Sequence, residues 1–235
     1  MYPQIGNFWC WLALIPFVVV AIIHLVHCSK QLLGLSDITK FMLMPLLILM
    51  YAVWTFMYSD TIALINIFVL VALIALWVGD ILLIYDWERP SFVHGILMFL
   101  LAQIAYIAAG IILIMNFTVP VIAALILLIV YIVIITIKLI IVRHDFRGLG
   151  RFAVVYMISV GIMSYLFLLL AIANPNTASI LMAVGGILFM LSDSHVIEEY
   201  FVGGYKQSHF WIMLAYLLAQ FLIVLGFIGM QGVIA

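Results

Sequence analysis

Eight apolar runs, each about 20 residues long and separated by short polar turns, follow one another along the chain. They cover roughly residues 8–28, 38–58, 62–85, 92–113, 119–142, 152–172, 178–197 and 210–230. At about 1.5 Å per residue, a helix of this length crosses the ~30 Å hydrocarbon core of a bilayer. Lipid offers the backbone no hydrogen bonds, so a crossing chain must be helical or close into a barrel. Barrel strands would run for about ten residues and alternate in polarity, whereas these runs are continuous. The sequence therefore predicts an all-α fold, a polytopic transmembrane bundle of eight helices forming a single domain over residues 1–235. With 70% of residues hydrophobic and 7% charged, there is too little polar surface to cover a soluble domain.

Charge in the connections sets the expected orientation. Lys30, Lys40, Arg89, Arg143, Arg147, Arg151 and Lys206 lie in or beside the first, third, fifth and seventh connections. The connections at 59–61, 114–118 and 173–177, and both ends of the chain, carry no Lys or Arg. The positive-inside rule then places the odd connections in the cytoplasm and both termini outside. Lys138 can snorkel to the same cytoplasmic side. The N-terminus lacks a basic region and a small-residue cleavage site, so the first run reads as a retained span. Compact connections without targeting tails suit a prokaryotic inner membrane. A net charge of −1 gives no reason to expect a nucleic-acid partner. Cys10 and Cys28 are too few for a disulfide framework or a repeated metal-ligand spacing.

Against this background Asp80 and Asp193 stand out, each inside an otherwise apolar run. A carboxylate at the bilayer centre costs roughly 2.5–3.5 kcal/mol on insertion scales and marks a functional site by default. Each lies four or five residues before the cytoplasmic end of its run, which is roughly 6–8 Å deep. Lys40 starts the second run from the same side, so three charges from three helices converge on one plane. Short matches between the halves suggest a 4+4 internal repeat. Leu100-Leu101-Ala102-Gln103 parallels Leu217-Leu218-Ala219-Gln220, Gly79-Asp80 parallels Ser192-Asp193, and Lys40-Phe41 parallels Arg151-Phe152.

Helical spacing places further polar residues on shared faces. These are Ser179, Gly186, Asp193 and Tyr200; Asn66 and Asp80; Lys40, Tyr51, Trp54 and Tyr58; His209, Tyr216 and Gln220; and Gln103, Tyr106 and Gly110. Together they outline a polar cavity. Asn66, Thr136, Ser159, Ser164 and Ser179 read more simply as hydrogen-bonding glue between helices. Asp80, Asp193, His94 and His195 have metal-ligand chemistry, but no HExxH or comparable spacing accompanies them, and on a helix His195 points away from Asp193. No metal or other cofactor is expected.

Two carboxyls close together out of water do not both ionise, so one holds a proton near neutral pH while its partner stays charged. A lysine beside one of them separates their roles. Such a pair suits hydrolysis of glycosidic, peptide or acid-labile ether bonds, and spacing alone does not choose among them.

The motifs resemble the YhhN-like lysoplasmalogenase family of eight-span membrane proteins. The resemblance rests on Gly79-Asp80-Ile81-Leu82-Leu83 and Leu191-Ser192-Asp193-Ser194, on Lys40 followed by Met44-Pro45-Leu46-Leu47, and on two patterns in the fourth and eighth runs. These are Phe92-x-x-Gly95-x-x-x-Phe99-x-x-x-Gln103-x-x-Tyr106 and Tyr216-x-x-Ala219-Gln220. Phe41 stands where the family often has proline, and Gln103 where it often has histidine. The resemblance implies hydrolysis of the vinyl ether bond of lysoplasmalogens to a fatty aldehyde and a glycerophospho-ethanolamine or -choline. Asp80 and Asp193 would be the catalytic pair. Lys40, Gln103, Tyr106, Ser192, Tyr216 and Gln220 would contact the lysophospholipid substrate or orient water, and the membrane lipid of the inner leaflet would supply that substrate. Three other readings remain: a proton-coupled transporter using the same carboxylates, a non-catalytic lipid-binding bundle, and an intramembrane aspartyl protease, whose usual Gly-x-Gly-Asp is broken here by Trp77.

Overall fold

The structure is a computed structural model that describes residues 8–58, 64–85, 89–142, 150–203 and 207–234. They form eight helices: α1 (Phe8–Ser29), α2 (Leu33–Tyr58), α3 (Leu64–Tyr85), α4 (Arg89–Ile114), α5 (Val121–Val142), α6 (Gly150–Ala173), α7 (Thr177–Val202) and α8 (Ser208–Ile234). All eight are long and apolar enough to span a membrane. Large apolar side chains such as Ile22, Ile104, Ile126 and Ile180 face outward, where lipid would replace water as their neighbour. Arg143, Arg147 and Lys206, on which the orientation partly rests, lie outside the described residues.

Several helices run past their apolar stretch. Helix α2 begins at Leu33 rather than near residue 38, so Lys40 lies inside the helix instead of at its start. The polar first turns persist because α1 holds them: His24 is buried, with Nδ1 3.1 Å from the Ser36 carbonyl and 2.8 Å from Thr39 Oγ1. Helix α7 continues past residue 197 through Glu198 and Glu199 and stops at Gly203, whose φ of 100° favours glycine. At its other end Asn176 Oδ1 accepts from Ser179 N, and Ser179 Oγ accepts from Asn176 N. Ser179 is thus a helix-capping residue rather than part of a polar stripe, because the four unpaired N–H groups of a first turn need acceptors.

Glycines set the closest helix approaches. Between α3 and α4, a Cβ on Gly79 would stand 3.0 Å from the Phe99 ring and 3.4 Å from the Gly95 carbonyl oxygen. Between α7 and α8, a Cβ on Gly185 would reach the Ala219 carbonyl oxygen at 2.9 Å, and one on Gly226 the Ala178 carbonyl oxygen at 2.8 Å. Small residues let membrane helices pack backbone to backbone, where dispersion and not water exclusion holds them.

Helix α5 is attached differently. Only 6% of its span is buried, against 67% for α8. Polar side chains stitch it to its neighbours: Tyr131 Oη lies 2.8 Å from Ser164 Oγ on α6, Tyr165 Oη donates to the Ala124 carbonyl at 3.3 Å, and Lys138 pairs with Glu198 on α7. The Lys138 ammonium is thus held by a partner helix.

Candidate active site

The close approach at Gly79 fixes the rotation of α3 and turns the next residue, Asp80, toward α2 and α8. There Lys40 Nζ stands 3.4 Å from Asp80 Oδ1, and Tyr216 Oη donates to Asp80 Oδ2 at 2.8 Å. On α7, Ser192 Oγ donates to the Ile212 carbonyl of α8 at 3.0 Å, which sets that helix's rotation in turn. Asp193 then meets α6, where Tyr156 Oη donates to its Oδ2. Both aspartates are buried, at 3% and 7% exposure.

Asp80, Asp193, Lys40 and Tyr216 line one cleft with about 490 Å³ of empty volume. Leu83, Phe99 and Met213 give it apolar walls, and Glu199 and His209 add further polar groups to its lining. Glu199 Oε1 is held by Ser208 Oγ at 2.9 Å. A charge removed from water costs several kcal/mol unless it is paired and hydrogen-bonded. Asp80 has both forms of compensation. Asp193 has a hydroxyl donor but no cation within ion-pair distance among the described residues, since Lys138 is engaged by Glu198. Two carboxyls in one cleft with unequal partners can exchange a proton with a bound molecule while a fixed negative charge stands beside it.

Of the residues expected at the site, Lys40, Asp80, Ser192, Asp193 and Tyr216 come together. The hydroxyl of Ser192 is spent on the α8 backbone. Gln103, Tyr106 and Gln220 are fully buried but do not line the cleft. Tyr106 Oη donates to Gln220 Oε1 at 2.8 Å and its ring stacks on Phe227. Gln103 sits beside Tyr156 without meeting hydrogen-bond geometry, so its amide is unspent. A further polar layer joins Tyr51, Asn66 and Gln231: Asn66 Oδ1 accepts from Tyr51 Oη and from Gln231 Nε2, each at 2.7 Å. Sequence reasoning passed over Tyr156, although Ala153, Tyr156, Val160, Met163, Phe167 and Leu170 mark one buried face of α6 at helical spacing. Among the described residues no three His, Cys, Asp or Glu side chains stand close enough together to hold a metal ion. His195 Nδ1 turns instead to the Leu191 carbonyl at 2.7 Å.

Fold and site together define a multi-pass integral membrane protein with two carboxyl groups sunk between its helices. The chain belongs to the YhhN family, which it matches over residues 35–227. The matched stretch holds Lys40, both aspartates and Tyr216. The family is known as lysoplasmalogenase-like, which points to hydrolase activity in general. Comparison with curated proteins and with solved structures returns no match.

Proposed function

We propose that the protein is a lysoplasmalogenase that hydrolyses the vinyl ether of lysoplasmalogens to a fatty aldehyde and glycerophospho-ethanolamine or -choline. The observation that carries this reading is the asymmetry of the two carboxyls: Lys40 stands 3.4 Å from Asp80, while Asp193, in the same cleft, lacks a counter-ion among the described residues. Asp193 is therefore assigned as the acid and Asp80 as the charged partner. Asp193 gives its proton to the alkenyl carbon β to the ether oxygen. The other alkenyl carbon becomes an oxocarbenium ion, stabilised by the negative charge of Asp80. Water adds to that carbon and yields a proton to the Asp193 carboxylate. The hemiacetal then collapses: its carbon–oxygen bond to glycerol breaks, the hydroxyl proton passes to the departing oxygen, and the aldehyde is released. No electrons change hands. One water is consumed and the Asp193 proton is restored. Besides its pairing with Asp80, Lys40 is assigned to the lipid phosphate. The basic connections support a site opening toward the cytoplasmic leaflet of a prokaryotic inner membrane, with both termini outside.

Incubation of purified protein with a mixed panel of ether and ester lysolipids, read by mass spectrometry, is expected to give fatty aldehyde from alkenyl lysolipids alone. Fatty acid from the ester lysolipids, or no product from any headgroup class, would sink the reading. Tyr156→Phe and Tyr216→Phe each remove one donor to a buried carboxyl. A hydrogen bond to a charged group contributes about 1.5–3 kcal/mol, so kcat is expected to fall roughly 10- to 150-fold. KM for the lysolipid should change less than threefold, because both hydroxyls, that of Tyr216 included, are engaged by the carboxyls and are not free for the substrate; a rise in KM with kcat intact would remove both tyrosines from the proton chemistry.

A second reading draws on the polar layers behind the cleft, Tyr106–Gln220 and Tyr51–Asn66–Gln231, which carry hydrogen-bonding groups away from the aspartates along α2, α3, α4 and α8. A proton-coupled transporter would use such groups as a relay. It predicts substrate flux into proteoliposomes and no aldehyde.

A further inference from the structure

Asp193 faces a second void. A neck, narrow in this structure, is lined by Ile135 and Lys138 of α5, Tyr156 and Met157 of α6, and Asp193. Among the described residues Asp193 is the one that lines both this neck and the aspartate cleft. Ile135 in turn also lines a larger groove between α5 and α6, with about 730 Å³ of empty volume. Its walls include Leu128, Ile132, Leu139, Ile158, Gly161 and Ile162, and from Leu128 to Leu139 it runs roughly 16 Å along α5. Gly161 keeps it open, since a Cβ there would meet Ile135 Cδ1 at 2.4 Å.

We infer that this groove receives the alkyl chain of a single-chain substrate. The inference rests on the lysoplasmalogenase reading, in which the lipid has one chain and the scissile bond lies where that chain joins glycerol. Asp193 occupies the matching position in the protein, between a polar cleft and the neck that reaches the apolar groove at Ile135. The groove's own polar groups are spent. Tyr131 meets Ser164 at 2.8 Å, Thr136 donates to the Ile132 carbonyl at 2.7 Å, and Tyr165 donates to the Ala124 carbonyl. What remains is a methylene-lined wall that suits an alkyl chain and offers a headgroup nothing. Lys138 and Glu198 pair across α5 and α7 beside the neck, and the slight burial of α5 lets this helix yield as a chain slides in.

The test uses the full-length protein in nanodiscs of saturated diacyl phosphatidylcholine. The probe is a single-chain lysophospholipid with a saturated ether linkage, which cannot be hydrolysed as a vinyl ether, and a diazirine in its chain. Saturable labelling is expected on the α5 and α6 peptides containing Ile132, Ile158 and Ile162. Excess unlabelled saturated-ether lysolipid should displace it and added diacyl lipid should not. Labelling at Ile74, an outward-facing residue of α3, should not saturate. Gly161→Leu and, at a more open position, Ile162→Trp should each lower the saturable labelling at least tenfold. Labelling that single-chain lipid fails to displace, that diacyl lipid displaces equally, or that both variants leave unchanged overturns the inference. The readout needs no turnover, so an inactive protein with saturable groove labelling would disprove the hydrolase reading and leave the groove standing.

Discussion

Asp193→Asn is expected to abolish aldehyde release from lysoplasmalogens, and Asp80→Asn to lower it almost as far. An amide at position 193 keeps the size of the side chain and can still accept from Tyr156, but it has no acidic proton to give. General acid catalysis by one positioned group contributes roughly 10²- to 10⁴-fold, and losses of that order are expected in kcat. Removing the negative charge of Asp80 withdraws stabilisation from the oxocarbenium ion, a loss of roughly 10²- to 10³-fold by analogy with other preorganised electrostatic groups. The two variants should part company in stability. Asp80→Asn leaves the Lys40 ammonium, whose side chain is 12% exposed, without its anion, and breaking a buried pair costs about 3–5 kcal/mol at most. Asp193→Asn removes a buried carboxyl that has no counter-ion among the described residues, so its thermal midpoint in detergent should match or exceed that of the wild type. Aldehyde release at the wild-type rate in either variant would end the paired-carboxyl mechanism. A lower midpoint for Asp193→Asn than for Asp80→Asn would reverse the assignment of roles.

The second large effect is expected at Gly226 and Gly185, where α7 and α8 touch through their backbones. A Cβ on Gly226 would fall 2.3 Å from Met182 Cγ and 2.8 Å from the Ala178 carbonyl oxygen. The methionine can swing aside, but a carbonyl inside a helix cannot. The helices must therefore separate, and overpacking of this kind costs about 1–3 kcal/mol for the smallest insertions. For a chain of this size each kcal/mol lowers the midpoint by about 2–4 °C, so Gly226→Ala and Gly185→Ala should each melt roughly 2–12 °C lower, and valine lower still. Gly34→Ala is the matched control, because nothing lies within 4 Å of the Cβ it would add. Equal melting of all three variants would show that the α7–α8 seam adapts without cost. The seam also bears on the site, since it relates Asp193 and Ser192 on α7 to Tyr216 on α8.

The eight spans were legible because lipid leaves the backbone only one continuous solution, and long apolar runs announce it. Asp80, Lys40 and Tyr216 were legible for a related reason: polar groups in such runs must seek one another. Depth along a helix follows from counting residues, and this brought the charges to one level. Lateral position is harder. Gln103, Tyr106 and Gln220 share helix faces with cleft residues, yet they lie in a layer behind it, because a face about 100° wide meets more than one neighbour. Tyr156 was hidden for the opposite reason. Phenols are common in membrane helices, and only the packing of α6 on α7 shows that this one meets a carboxyl. The true start of α2 was masked by polar residues that look like a loop until His24 supplies their partner.

Helix α5 has a consequence for handling the protein. With 6% of its span buried, this helix has the bilayer as its main neighbour, so the surrounding amphiphile is in effect one wall of the molecule. A detergent that wets the α5 surface differently from lipid changes the spacing between Ile135 and Gly161 before it disturbs Asp80, Lys40 or Asp193. Activity that fades in one detergent and returns on transfer to lipid would then report the state of that wall, while the aspartate cleft stays intact throughout.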